Sequence, residues 1–177
     1  MSSEPLIEQV DGVWSHVSGI LYRAVDPAYR HAALLGSRLA GRYSDADQPT
    51  LYLSSTPQGV EAALKAHAPD RNDQLDLLKF HVDAHKIIDL RNPAVLLAVG
   101  VDLADAVAPW QDIVKSEGRP TSWNVRRHLE ALGANGLIDP SRTRPGLWHL
   151  VLFRWNSQNA PHVSDVQILS DPTATLP

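Results

Sequence analysis

The sequence predicts one α+β domain, and three observations carry that prediction. The 177 residues are 44 % hydrophobic and 20 % charged, enough apolar chain for one sizeable core. Short runs of β-formers recur between Gly, Pro, Asp and Ser punctuation, as strands require. Two longer segments carry helical periodicity with start and stop signals. No internal repeat, heptad run or low-complexity block divides the chain.

Residues 1–18 read as a polar lead-in. Residues 20–25, ILYRAV, form a first strand closed by Asp26-Pro27, and residues 28–39 are helical or looped with mixed polarity. TLYLS at 50–54 is a strand. Ser55 or Thr56 then caps a helix that has Pro57 in its first turn and runs to about residue 68, with Val60, Ala63 and Leu64 on one face and Glu61 at its edge. Residues 77–82 and 86–90 form one or two strands, stopped by Arg91-Asn92-Pro93. Residues 94–108 are apolar with a glycine interruption, and their Val and Leu content leaves helix and strand both open. SWNVRRHLEALG at 122–133 is a helix with Gly133 at its stop. Residues 136–138 and 148–153 are strands on either side of a Ser141 loop. The segment from Ser157, with Pro161, Pro172 and Pro177, is expected to wrap the surface or fray.

Composition excludes several function classes. With no cysteine there is neither a disulfide framework nor a thiolate metal site, which fits a reducing cytosol. The opening MSSEPLIEQVDG lacks a basic region followed by an apolar one, and no apolar run approaches the roughly 18 residues of a membrane span, so a cytoplasmic protein without membrane contact is expected. A formal charge of -4 argues against direct nucleic-acid binding, because affinity for polyphosphate comes largely from cationic surface. There is no Gly-rich dinucleotide fingerprint, Walker A run or G-x-S-x-G elbow. His81 and His85 have helical metal-ligand spacing but lie in a strand, where they serve structure; no metal is expected.

Chemistry concentrates elsewhere. Arg23 beside Tyr22, and Arg42 between Gly41 and Tyr43, are planar cations suited to grip phosphate oxygens bidentately. Gly41 permits close backbone approach to a ligand. Tyr22, Tyr43 and Tyr52 suit a nicotinamide or ribose face, although strand aromatics are more often core. Glu61 is an acid among Val60, Ala62, Ala63 and Leu64, so facing inward it needs a partner or a task, such as stabilising an oxocarbenium-like ribose. Ser141 follows Asp139-Pro140 in a turn-rich stretch. Arg126-Arg127-His128 reads as a solvated basic face of its helix.

The ordered set Leu21-Tyr22-Arg23, Gly41-Arg42-Tyr43-Ser44, the strand at 50–54, Glu61, Ser122-Trp123, the segment 136–141 and the strand after it resembles the RES-domain family over about residues 20–155. The family often has Asn where this chain has Ser44, and Gly where it has Ala40. The resemblance implies boundaries of about 19–156, with 157–177 as a C-terminal extension. It implies a fold similar to the diphtheria-toxin-like mono-ADP-ribosyltransferases, with mixed or antiparallel sheets and flanking helices. It also implies NAD as substrate and a toxin with a cognate antitoxin. The expected reaction is cleavage of the nicotinamide-ribose bond by a glycohydrolase or phosphorylase. ADP-ribosyl transfer to a protein and an idle NAD-binding module are the alternatives. Under this resemblance Arg23 and Arg42 hold the diphosphate, Tyr22, Tyr43 and Tyr52 shape the pocket, Glu61 stabilises the cation, and Ser141 bonds the nicotinamide amide or a ribose. Arg23, Arg42, Tyr52, Glu61 and Ser141 are expected in one cleft.

Overall fold

The computed structural model of the chain describes residues 4–67 and 74–168. Its strands are β1 (Leu6–Asp11), β2 (Trp14–Val25), β3 (Leu51–Ser54), β4 (Asp76–Asp89), β5 (Gly136–Pro140), β6 (Trp148–Leu152) and β7 (His162–Ile168). Its α-helices are α1 (Pro57–His67), α2 (Pro93–Val99), α3 (Leu103–Val107), α4 (Gln111–Lys115) and α5 (Thr121–Ala131), and a 3-10 helix covers Pro27–Leu35. The order in the sheet is β1-β2-β3-β6-β5-β4-β7, and a further β2–β4 pairing closes the five strands between them into a ring. β4 and β5 run parallel; every other pairing is antiparallel.

The expected lead-in is part of this sheet. Residues 6–18 form β1 and the first half of β2, turning at Gly12, whose φ of 52° suits a residue without Cβ. Val17 is fully buried against the core, a position that the surrounding polar residues conceal in the sequence. Residues 77–82 and 86–90, expected as one or two strands, are one continuous strand, β4, along β2. Its buried side chains run Leu78, Phe80, Val82 and Ala84, then change parity to Ile87 and Ile88, because a bulge with Lys86 at φ 54° inserts an extra residue. The undecided segment 94–108 is helical: Asn92 Oδ1 caps α2 by accepting from Ala94 N–H at 3.0 Å, and Gly100 ends it in the left-handed conformation. Part of the expected surface extension joins the sheet as well, since β7 pairs with β4 and buries Val163. The expected helix end at residue 68 and the expected extension over 169–177 lie outside the described residues.

Two apolar layers hold the ring. One packs Leu21, Leu53, Phe80, Ile87, Ile138 and Leu150 on one face of the strands. The other packs Ile88, Leu137 and Val151 against Val95, Val99, Val125 and Leu129 of α2 and α5. Alternation along β5 and β6 sends successive residues to opposite layers, the period-2 rule of a strand buried on both faces.

Candidate active site

A cleft of about 480 Å³, within the size range of small-molecule sites, opens between β2, the loop after the 3-10 helix, α1 and the β5–β6 connection. Tyr22, Arg23, Arg42, Tyr43, Tyr52 and Ser141 all line it. Six of the seven residues singled out in the sequence therefore meet in one place, although more than a hundred positions separate the first from the last.

Arg23 sits half-buried on β2, where Nη1 donates to the Ala33 carbonyl at 2.5 Å and burial holds its pKa below the usual guanidinium value. Arg42 is more constrained. Its Nη1 donates to the carbonyls of Ala106 at 3.2 Å and Ala108 at 2.7 Å, while its buried Nε has no hydrogen-bond partner among the described residues. Burial, with Arg142 nearby, pulls its pKa down to about 10. It remains a cation at neutral pH, held by neutral carbonyls and poised toward an anion.

Tyr43 is fully buried and its hydroxyl donates to Asp139 Oδ1 at 2.7 Å. Tyr52 turns its hydroxyl to the loop, taking the Tyr43 N–H at 3.2 Å and meeting Ser44 Oγ at 2.9 Å. A Cβ on residue 41 would lie 2.8 Å from that hydroxyl and 3.0 Å from Ser44 Oγ, so Gly41 serves an internal contact rather than the ligand approach expected of it. Ser141 Oγ accepts from Arg144 N–H at 3.2 Å, which orders the loop at the cleft mouth.

The structure leaves Glu61 out of the cleft. The face of α1 that lines it carries Val60, Ala63 and Leu64. Glu61 lies one helical step round, its carboxylate about half exposed and paired with Lys65 Nζ at 2.6 Å, and the Lys65 hydrogen bond lowers its pKa. The i,i+4 spacing made that pairing available, and a solvated charge costs less than a desolvated one. Among the described residues, the acid that lines the cleft is Asp139, on β5. Burial raises its pKa, opposed by the Tyr43 hydrogen bond and the charges of Arg142 and Arg42.

That raised pKa has a testable sign. The folded state holds the Asp139 proton more tightly than the unfolded chain, whose carboxyl titrates near ~3.9. Stability contributed by the protonated form is present below that pH and is lost as pH rises through the folded value. Asp139→Asn should remove this slope, so urea denaturation from pH 4 to 7 should show the variant gaining on wild type as pH rises. A constant difference would place the effect elsewhere.

Sequence reading also missed the support of the Gly41-Arg42-Tyr43 loop. Trp123 Nε1 donates to the Gly41 carbonyl at 2.9 Å, Ser122 Oγ donates to that of Arg42, and Arg126 Nη1 donates to that of Tyr43 at 3.1 Å. Three side chains of α5 thus hold three consecutive carbonyls. Arg126, expected on a solvated face, is 3 % exposed, lies 4.7 Å from the Phe153 ring centroid and pairs with Glu130. Its helical position one turn after Ser122 carried the signal. Arg142, at the cleft mouth with Nη1 on the Val107 carbonyl at 3.1 Å, is a third lining arginine. Among the described residues no cluster of His, Asp and Glu could hold a metal ion, and no helix is long and apolar enough to cross a membrane.

The chain belongs to the RES-domain family, whose pattern matches residues 20–176 and so takes in the whole cleft. Among solved structures it is similar to a chain of the crystal structure of the M. tuberculosis MbcT–MbcA toxin–antitoxin complex. The TM-score is 0.55 at 16 % identity, over 86 % of this chain and 83 % of that chain, a likeness of fold. No curated protein matches the sequence.

Proposed function

We propose that this protein is a RES-domain toxin that binds NAD in the cleft and cleaves its nicotinamide-ribose bond, with water or phosphate as acceptor. The observation that carries this reading is the convergence of Arg23, Arg42, Tyr22, Tyr43, Tyr52 and Ser141 on one cleft. Nicotinamide leaves as a neutral molecule from a cationic ring, so the ribose needs orientation and electrostatic support more than a strong nucleophile. Arg23 and Arg42 suit the diphosphate, with Arg142 beside them, and Asp139 is the carboxylate available to the cation-like ribose. Kinship with the mono-ADP-ribosyltransferase fold, expected from the sequence, belongs to the same reading, as do a cytoplasmic site of action and a cognate antitoxin. The toxin–antitoxin complex that shares its fold supports that partner. A net charge of -4 favours an antitoxin that presents basic residues. ADP-ribosyl transfer to a protein remains the alternative reaction.

Incubation of the pure protein with NAD, with and without phosphate and cell extract, tests this. Free nicotinamide with ADP-ribose means hydrolysis, ADP-ribose phosphate means phosphorolysis, and labelled protein means transfer. A second reading, an NAD-binding module without catalysis, is favoured by the cleft face of α1, which among the described residues is Val60, Ala63 and Leu64. NAD bound with no nicotinamide released would establish it. Because Glu61 pairs with Lys65 in solvent, Glu61→Gln is expected to leave turnover within about twofold and stability near wild type. A selective collapse of turnover at unchanged NAD affinity would return Glu61 to the site.

A further inference from the structure

Three cleft residues, Ser54, His149 and Asp139, lie in one row across the sheet. Ser54 of β3 stands directly opposite His149 of β6, and His149 stands directly opposite Asp139 of β5. Directly opposite residues of paired strands project from the same face, with Cβ atoms about 4.5–5.5 Å apart. All three line the cleft. Ser54 Oγ and His149 Nδ1 are 2.9 Å apart, and Ser54 is 5 % exposed, so the hydroxyl fixes the imidazole from behind. Asp139 is held in turn by the Tyr43 hydroxyl. The arrangement is an oriented imidazole opposite a buried acid on the neighbouring strand, both lining the cleft.

We propose that His149 is the general base of the hydrolytic reaction, taking the proton of the attacking water while Ser54 acts as its positioning residue. This rests on the NAD-cleaving reading. In the tautomer whose Nδ1–H donates to Ser54 Oγ, the lone pair is on Nε2, the atom that takes the proton. As the C1′–N bond to nicotinamide breaks, its electron pair leaves with neutral nicotinamide and an O–C1′ bond forms from water. The proton released by that water passes to His149 and then to solvent, giving ADP-ribose. Asp139 faces both the cation-like ribose and the imidazolium and favours both.

An anionic nucleophile needs no base, which makes the role separable from a structural one. The test measures nicotinamide release and products for wild type, His149→Ala, His149→Gln and Ser54→Ala, with and without azide, alongside NAD affinity by calorimetry and melting curves. His149→Ala should lose about 10²–10⁴-fold in rate at near-wild-type NAD affinity. Azide should restore much of that loss and yield ADP-ribosyl azide, while wild type gains little. His149→Gln, which keeps a side-chain polar partner for Ser54, should fold like wild type and show the same loss. Ser54→Ala should fall by a smaller factor. Near-wild-type hydrolysis by a folded His149→Gln protein would overturn the proposal. So would a loss that azide does not repair, or one matched by equal loss of NAD affinity. Wild type that binds NAD and releases no nicotinamide fails earlier, at the cleavage reading itself, and removes the base role with it.

Discussion

Replacing Arg42 with lysine is expected to weaken NAD binding by roughly ten- to a hundredfold, although the charge is kept. The guanidinium is fixed from behind by the carbonyls of Ala106 and Ala108 through Nη1 alone. Its remaining planar edge, including a buried Nε–H with no partner among the described residues, stays available for a second and third bond. An ammonium is a point donor on a flexible stem and cannot serve two carbonyls and a diphosphate at once. Losing one or two charge-assisted hydrogen bonds costs about 1.5–3 kcal/mol, which is that fold-change. Calorimetric titration with NAD reads it directly. Wild-type affinity in Arg42→Lys would mean that the diphosphate lies elsewhere, with Arg23 and Arg142 the next residues to replace.

The largest stability effect is expected at Gly136, the first residue of β5. An added Cβ would collide with the Val151 carbonyl oxygen and approach Leu152 Cα at 3.2 Å on β6. Those atoms are main chain in a paired strand, so relief requires moving β6 relative to β5. Gly136 pairs with both Leu152 and Ile87, which ties the movement to the apolar layer that contains them both. Gly136→Ala should therefore destabilise by about 3 kcal/mol, the upper part of the usual overpacking range. Urea denaturation monitored by tryptophan fluorescence would report it. A loss below ~1 kcal/mol would show that the β5–β6 pair yields more easily than its two-sided burial implies.

The sequence was most readable where a local rule governs the outcome. Thr56 caps α1 through Oγ1, accepting Gly59 N–H at 3.0 Å, next to the Pro57 that marks the first turn. The strands of residues 51–54 and 148–152 carry β-formers between turn residues, and they pair. Arg23, Arg42 and the three tyrosines were visible by chemical type, and Ser141 by its turn. Harder were the elements whose fate depends on a partner distant in sequence. Residues 6–18 look polar because β1 buries none of its side chains and the first half of β2 buries only Ser15 and Val17, so Val17 is hidden between half-buried polar neighbours.

Arg126 and Glu61 show opposite sides of that difficulty. Both are helix charges with a plausible i,i+4 partner, and local rules rank them alike. The sheet decides between them: α5 lies over the loop at 41–43 and draws Arg126 under Phe153, whereas α1 turns Val60, Ala63 and Leu64 to the cleft and Glu61 toward Lys65. Residue types, turn punctuation and period determined the family, the α+β class and most of the cleft's cations and aromatics, because those signals are short-range. Which acid stands among them was decided only by tertiary structure. Strand register sets Asp139, His149 and Ser54 in one row from positions 54, 139 and 149, and no local preference encodes a register between strands so far apart in the chain.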